Sequence, residues 1–350
     1  MNRNILIGII VVIIFIIGVV GYMALMPKHT VVTPTTTTSP TSSVQTKSPL
    51  AVWVADAYYA EAYDLATNFG TQNGITVAPV KAGGSFALAR EISSNSGVVT
   101  VFMPVALSAI SDLGNNNPGW AIAFIADQLT IAYTNKSVSD NQYAMTAVKD
   151  AKAGNWTGFY DILTSGKVKV GISDPNTDPA GFRAWINLEI AGYLFKNNTY
   201  YYYNTMLNNK GNVTATSAAE LVSPLEAGTI NFLYIYRSAA IAKGLDYIQL
   251  PSMLNLGNVS YAKFYAKFNY TLSTGLVKGS PVYLFITIPK NTNNFQEAIQ
   301  FITFVVNNSN ILSKYGVAPL QPAILFNSTT VPSQIASLIS QGKLVEGSNL

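Results

Sequence analysis

The chain has 350 residues, a formal net charge of +4, and charged side chains at only 11% of positions. That charge is too small to argue for nucleic acid as a partner. There is no cysteine and the single histidine is His29, so disulfides, thiolate chemistry, His- or Cys-built zinc sites and a histidine base are excluded from the body that follows it.

The chain opens with 22 uncharged residues, Ile5 to Met26, flanked by Arg3 and Lys28. As a helix this run rises about 33 Å, enough for a hydrocarbon core of about 30 Å. It reads as a retained anchor or as a long signal sequence, and the absence of an A-x-A cleavage site favours the anchor. Residues 1–28 are therefore expected to be a transmembrane helix that holds the protein at the cell membrane. Residues 29–48 are rich in Thr, Ser and Pro, bury too little surface to order, and read as an extended stalk. Eight Asn-x-Ser/Thr sequons follow, at Asn135, Asn155, Asn197, Asn212, Asn258, Asn269, Asn307 and Asn327. They fit an extracellular, glycosylated body.

Strands and helices alternate from there. Leu50 to Val54 reads as a strand, Tyr58 to Gly70 as a helix that stops at its glycine, and Ile75 to Val80 as a second strand. Gly83-Gly84-Ser85 opens a helix through Ile92. A strand at Val98 to Phe102, a short helix at Val105 to Leu113 and buried strands in Ala121 to Tyr133 complete a mostly parallel block. A second block holds a strand at Val168 to Ile172, a helix at Gly181 to Phe195 and a strand at Asn231 to Tyr236. Val282 to Ile288 is again strand-like, Phe295 to Val306 is an amphipathic helix, and Tyr315 to Pro319 is a turn. The expected fold class is α/β with two lobes and a ligand cleft between them. The first lobe spans 49–133 and 282–325, the second 134–281, and 326–350 forms a C-terminal segment. The crossings are expected near Tyr133–Ser137 and Tyr270–Val282.

Four polar residues stand out. Ser85 follows two glycines at a helix start, as an N-cap or as a donor to an anion. Asp178, in Asn176-Thr177-Asp178-Pro179, is a turn residue or N-cap. Glu226, in Pro224-Leu225-Glu226-Ala227-Gly228, reads as a solvated helix-end charge. Tyr236 is a core tyrosine or a hydroxyl donor. As a carboxylate pair, Asp178 and Glu226 would also suit a hydrolase, although no other catalytic signature accompanies them and the chain is not expected to be an enzyme.

The segments GISDPNTDPAGFRAW (Gly171 to Trp185), LEAGTINFLYIYRSAA (Leu225 to Ala240) and YLFITIPKN (Tyr283 to Asn291) occur in this order along the chain. With GGSFALAREI (Gly83 to Ile92), DQLTIAYTNKS (Asp127 to Ser137) and YGVAPLQPA (Tyr315 to Ala323), they make the chain resemble the tungstate/molybdate-binding proteins of ABC-type uptake systems, especially the archaeal branch. The resemblance implies a type II periplasmic-binding-protein fold and a small oxyanion, tungstate or molybdate, as ligand, with no cofactor. It also implies a monomer that serves an ABC permease and its ATPase. Ser85 and Tyr236 would donate to the anion. Asp178 and Glu226 would bond to the Mo or W centre, which sulfate could not offer them. The sequence departs from the family at Ala55-Asp56-Ala57-Tyr58, where a Gly-Ser turn is expected, and at Thr100 to Pro104, which is apolar. A binder of another solute, such as a sugar or peptide, on the same fold is the alternative reading.

Overall fold

The computed structural model describes residues 48–94 and 98–348. The expected anchor, and the stalk up to residue 47, lie outside them. Among the described residues no helix is long and apolar enough to cross a membrane.

Among the described residues there are fourteen strands: β1 (Val52–Ala55), β2 (Lys81–Gly83), β3 (Val101–Met103), β4 (Trp120–Asp127), β5 (Leu129–Tyr133), β6 (Val170–Gly171), β7 (Asn212–Val213), β8 (Phe232–Tyr236), β9 (Asp246–Ile248), β10 (Asn269–Leu272), β11 (Gly275–Lys278), β12 (Val282–Ile286), β13 (Ala318–Asn327) and β14 (Leu344–Glu346). β1 pairs in parallel with β2 and β3, and a four-stranded sheet runs β12-β4-β13-β14. The two are continuous, because Phe102 and Thr287 exchange backbone hydrogen bonds of 3.0 and 2.9 Å. This first lobe is thus closed by strands from both ends of the body. The second lobe is a five-stranded sheet, β7-β6-β8-β5-β9, with the β10–β11 hairpin beside it.

The chain therefore crosses between lobes twice, at Gln128 between β4 and β5, and at residues 279–281 between β11 and β12. The first crossing falls before the expected Tyr133–Ser137, since β5 pairs with β8 and β9. The 49–133 boundary is corrected accordingly. Residues 326–348 are likewise no separate segment. β13 runs to Asn327, and β14 pairs in parallel with it from Leu344 to Glu346.

Local chemistry explains two further shifts. The first helix runs Tyr59–Asn73, past Gly70, and is capped by Gly74 in the left-handed region at φ 63°. Gly70 serves a different need: a Cβ there would lie 2.8 Å from the Ile75 carbonyl oxygen as the chain doubles back. Of Ile75 to Val80, only Val77 forms a β-bridge, an isolated one to Leu50 just before β1. Pro79 has no N–H for a ladder, and the pairing strand begins at Lys81 instead.

The core follows the pattern of apolar runs. β4, β8 and β12 are buried along their whole lengths. The helix Pro179–Lys196 is buried continuously from Pro179 to Gly192, so the fold surrounds it on all sides. Asp178 caps its start, Pro179 takes the first turn, and Asn197 at φ 49° ends it. Inside the second lobe, Tyr160 and Tyr234 both donate to Asn187 Oδ1, at 2.9 and 2.7 Å. The other end of that amide donates to the Leu254 carbonyl at 2.9 Å. None of the eight sequon asparagines is buried.

Gly181 fixes how closely the Pro179–Lys196 helix packs on the segment before it. A Cβ there would stand 2.1 Å from the Ser173 carbonyl oxygen and 2.9 Å from the Pro175 nitrogen. Both neighbours are backbone and neither can rotate away. Gly181→Ala should therefore destabilise the protein by about 1–3 kcal/mol, as overpacking does. The shift of the urea midpoint measures it, and an unchanged midpoint would refute this account of the packing.

Candidate functional site

The two lobes meet where the helix Ser85–Ser94 points its N-terminus at the segment preceding the helix Pro179–Lys196. The first N–H groups of a helix have no partner within it and carry the positive end of the dipole. Here the N–H groups of Phe86 and Ala87 donate across the interface to the Thr177 carbonyl, at 3.1 and 3.3 Å. Gly84 permits the approach, because a Cβ on it would lie 2.3 Å from that oxygen. Ser85 is the first helical residue and is fully buried. Its Oγ accepts from the Val105 N–H at 3.1 Å and keeps its own proton as a donor.

Asp178 is 2% exposed. Its Oδ1 accepts from Ala180 N–H at 3.0 Å and its Oδ2 from Ala218 N–H at 2.8 Å. Asp56, from the first lobe, comes beside it. The Asp56 Oδ1 accepts from Ala57 N–H at 2.8 Å, and its Oδ2 reaches across to Ala219 N–H at 3.4 Å. Burial pushes the Asp178 carboxyl up to about 7, and the neighbouring Asp56 charge adds to the rise. Burial also raises Asp56, against hydrogen bonds from Ser217 and from the backbone of Ala57 and Ala219. Two carboxylates side by side disfavour each other's ionisation.

Arg183 completes the interface. It is 2% exposed, donates from Nη1 to Tyr236 Oη at 2.6 Å, and donates from Nη2 to the Val105 carbonyl at 2.8 Å. Its guanidinium lies 5.0 Å from the Phe182 ring centre and 5.6 Å from that of Tyr236. A chain of contacts thus runs from Ser85 through Val105 and Arg183 to Tyr236, crossing from one lobe to the other.

Three of the four residues singled out from the sequence, Ser85, Asp178 and Tyr236, lie along this interface. Glu226 does not join them. It is exposed on the short helix Val222–Ala227, which packs on β8 and on the helix Asn135–Ser139. The carboxylate that the fold sets beside Asp178 is Asp56. The Asp178–Glu226 pair is thereby replaced by an Asp178–Asp56 pair, because Asp56 follows directly on the β1 terminus that faces the second lobe. Arg183 is not among the residues that stand out in the sequence. Its signal is a lone guanidinium inside the apolar run Phe182 to Leu188, a setting that only a buried, partnered arginine tolerates.

Behind the interface, the first crossing carries its own buried acids. Tyr58 Oη donates to Asp127 Oδ2 at 3.0 Å, and Gln128 N–H donates to Asp127 Oδ1 at 2.7 Å. Glu61 is fully buried, and neither of its carboxyl oxygens has a hydrogen-bond partner of good geometry. Burial pushes it up to about 8, with the Asp127 charge adding to the rise.

Two predictions follow from this geometry. Gly84→Ala should force Thr177 away and hold the lobes apart, which small-angle scattering would record as a larger radius of gyration; an unchanged radius would contradict the contact. The second concerns pH. Carboxyls raised in the folded state bind more protons folded than unfolded between about pH 4 and 8, so stability should fall as pH rises through that window. The urea midpoint should be lower at pH 8 than at pH 5, and Glu61→Gln should flatten the slope. A slope of opposite sign would show that these groups are ionised in the fold.

Residues 50–318 match the family described as bacterial extracellular solute-binding protein. A solute-binding protein of Sulfurisphaera tokodaii is 40% identical over 323 residues, covering 88% of this chain and 85% of the relative. One of Saccharolobus solfataricus is 38% identical over 323 residues, covering 88% and 80%. Among solved structures, the periplasmic molybdate-binding protein of Azotobacter vinelandii aligns with TM-score 0.56 at 18% identity, covering 78% of this chain and all of the other. The sulfate-binding protein of Mycobacterium tuberculosis aligns with TM-score 0.55 at 14% identity, covering 86% and 94%. At such identities the structural likeness establishes the α/β periplasmic-binding-protein fold, while the matched family and the closer relatives give the chain its class: it belongs to the extracellular solute-binding proteins.

Proposed function

We propose that the protein captures a small oxyanion, of the tungstate and molybdate class, between its lobes and delivers it to an ABC permease. One observation carries this reading. Backbone N–H groups from both lobes, those of Phe86 and Ala87 on one side and of Ala180, Ala218 and Ala219 on the other, all hold oxygen atoms at the interface. Such a nest of amide donors at helix starts is the chemistry that holds anions. The oxygens of an incoming anion would take over the donors now held by the Thr177 carbonyl and the Asp56 carboxylate. Arg183 adds a buried positive charge whose hydrogen-bond acceptors are both neutral.

A carboxylate beside a dianion is repulsive unless it bonds to the central atom. Asp178 is held rigidly by two N–H groups, which would let it bond to a Mo or W centre; sulfur in sulfate does not expand its shell in that way. Asp56 plays the opposite part in this reading, since it competes for donors that the ligand needs. Metal-oxyanion capture would thus rest on Asp178, and discrimination against sulfate would follow from it.

Native mass spectrometry and calorimetry with tungstate, molybdate and sulfate test the reading. Tungstate should bind more than tenfold tighter than sulfate. Asp178→Asn, which retains an acceptor for the cap, should erase that preference. Asp56→Ser should tighten both anions by removing a charge and freeing Ala219 N–H. Absence of binding by any of the three would sink the oxyanion reading and leave a different solute in the same cleft.

A further inference from the structure

A concave feature lies beside Arg183. A pocket of about 470 Å³ is walled by the loop after β3, the start of the Pro179–Lys196 helix, the β10–β11 hairpin, the second crossing and β12. This volume falls within the range that holds small organic ligands. Its wall is largely apolar and aromatic, with Leu107, Phe182, Tyr283, Phe285 and Phe326 contributing. Two cations belong to the same wall, Arg183 and Lys278, and no aspartate or glutamate does.

The two cations differ in state. Arg183 is buried, and although its two Nη atoms each have a partner, Nε has none among the described residues. A buried guanidinium donor without an acceptor is costly, and a carboxylate is the acceptor that best matches its planar fork. Lys278 is exposed, on the last residue of β11, where it can attract an anion from solvent. An inorganic oxyanion would satisfy the charges but leave the aromatic wall uncovered. A neutral apolar molecule would cover the wall and leave the guanidinium as it is.

We infer that this pocket is a second ligand site, and that it takes a small organic monocarboxylate with an aromatic or aliphatic body. The carboxylate would face Arg183 and Lys278, and the body would lie against Phe182, Tyr283 and Phe285. Both lobes contribute wall residues, so occupation of the pocket bears on the same interface as the Asp178 site without using its carboxylates.

Calorimetry on the full chain with benzoate, and with its neutral isostere benzamide, provides the test. Benzoate should bind saturably, and benzamide at least tenfold more weakly. Lys278→Met should weaken benzoate severalfold and Lys278→Glu at least tenfold at low ionic strength, with the urea midpoint unchanged because Lys278 is exposed. A crystal grown with 4-bromobenzoate should place the bromine among the aromatic residues of the pocket. The inference is overturned if benzoate does not saturate, if benzamide binds as well, or if the bromine lies at Asp178. Sulfate and tungstate titrations run in parallel keep the two sites apart: failure of those anions to bind leaves the benzoate result standing, and failure of benzoate leaves theirs.

Discussion

The contact on which the interface depends is the Thr177 carbonyl accepting from two N–H groups at the start of the helix Ser85–Ser94. Free helix N-termini are short of acceptors, and Thr177 supplies one from the other lobe. The residues around it follow from this need. Gly84 must lack a side chain for the carbonyl to approach. Asp178, the next residue, then lies at the boundary with its oxygens turned to amides, and Asp56 is drawn in beside it. On the proposed function, a ligand in this place would offer oxygen in the same direction as Thr177 does, which narrows its chemistry before any side chain is considered.

The electrostatics of the interface are mixed. Burial makes the ionised forms of Asp56 and Asp178 unfavourable, and their proximity makes joint ionisation worse. Arg183 lies five residues beyond Asp178 on the same helix, yet its hydrogen bonds go to Tyr236 and Val105, not to a carboxylate. Negative and positive groups thus lie in one interface without neutralising each other through a hydrogen-bonded pair. Such an arrangement suits a binding site, whose charges are meant for a visitor, better than a structural core, whose charges are paired internally.

Much of the architecture was legible in residue patterns. The apolar runs of β4, β8 and β12, and the return of the chain to the first lobe at Val282, followed from periodicity and order. The helix start at Ser85 followed from its glycines; the second helix, expected from Gly181, begins two residues earlier at Pro179, with Asp178 as its cap. The position of the crossing did not, because β4 and β5 form one nearly unbroken apolar run. Only the pairing of Leu129 to Tyr133 with β8 and β9 assigns that half to the second lobe. The candidate site was half legible. Ser85 and Asp178 carried local signals as residues at helix starts, whereas Tyr236 stood out only through the family resemblance. The adjacency of Asp56 to Asp178 spans more than a hundred residues and is set by the approach of two lobes, which no local pattern encodes. Glu226 had a local motif but an exposed position, and its motif said nothing about distance.

The discontinuity of the first lobe has a consequence for how the chain assembles as it is made. The sheet that begins with β1 is completed only by β12, β13 and β14, near the end of the sequence, whereas the second lobe is one uninterrupted stretch between the two crossings. A growing chain holds every strand of the second sheet while three of the seven strands of the first are still to come. Closing the first sheet also joins residues separated by nearly two hundred positions, such as Phe102 and Thr287, a long loop whose closure is slow. The inserted lobe can therefore mature first and shorten that loop by bringing its two ends together. Its folding acts as a template that tethers the unfinished sheet until the last strands arrive.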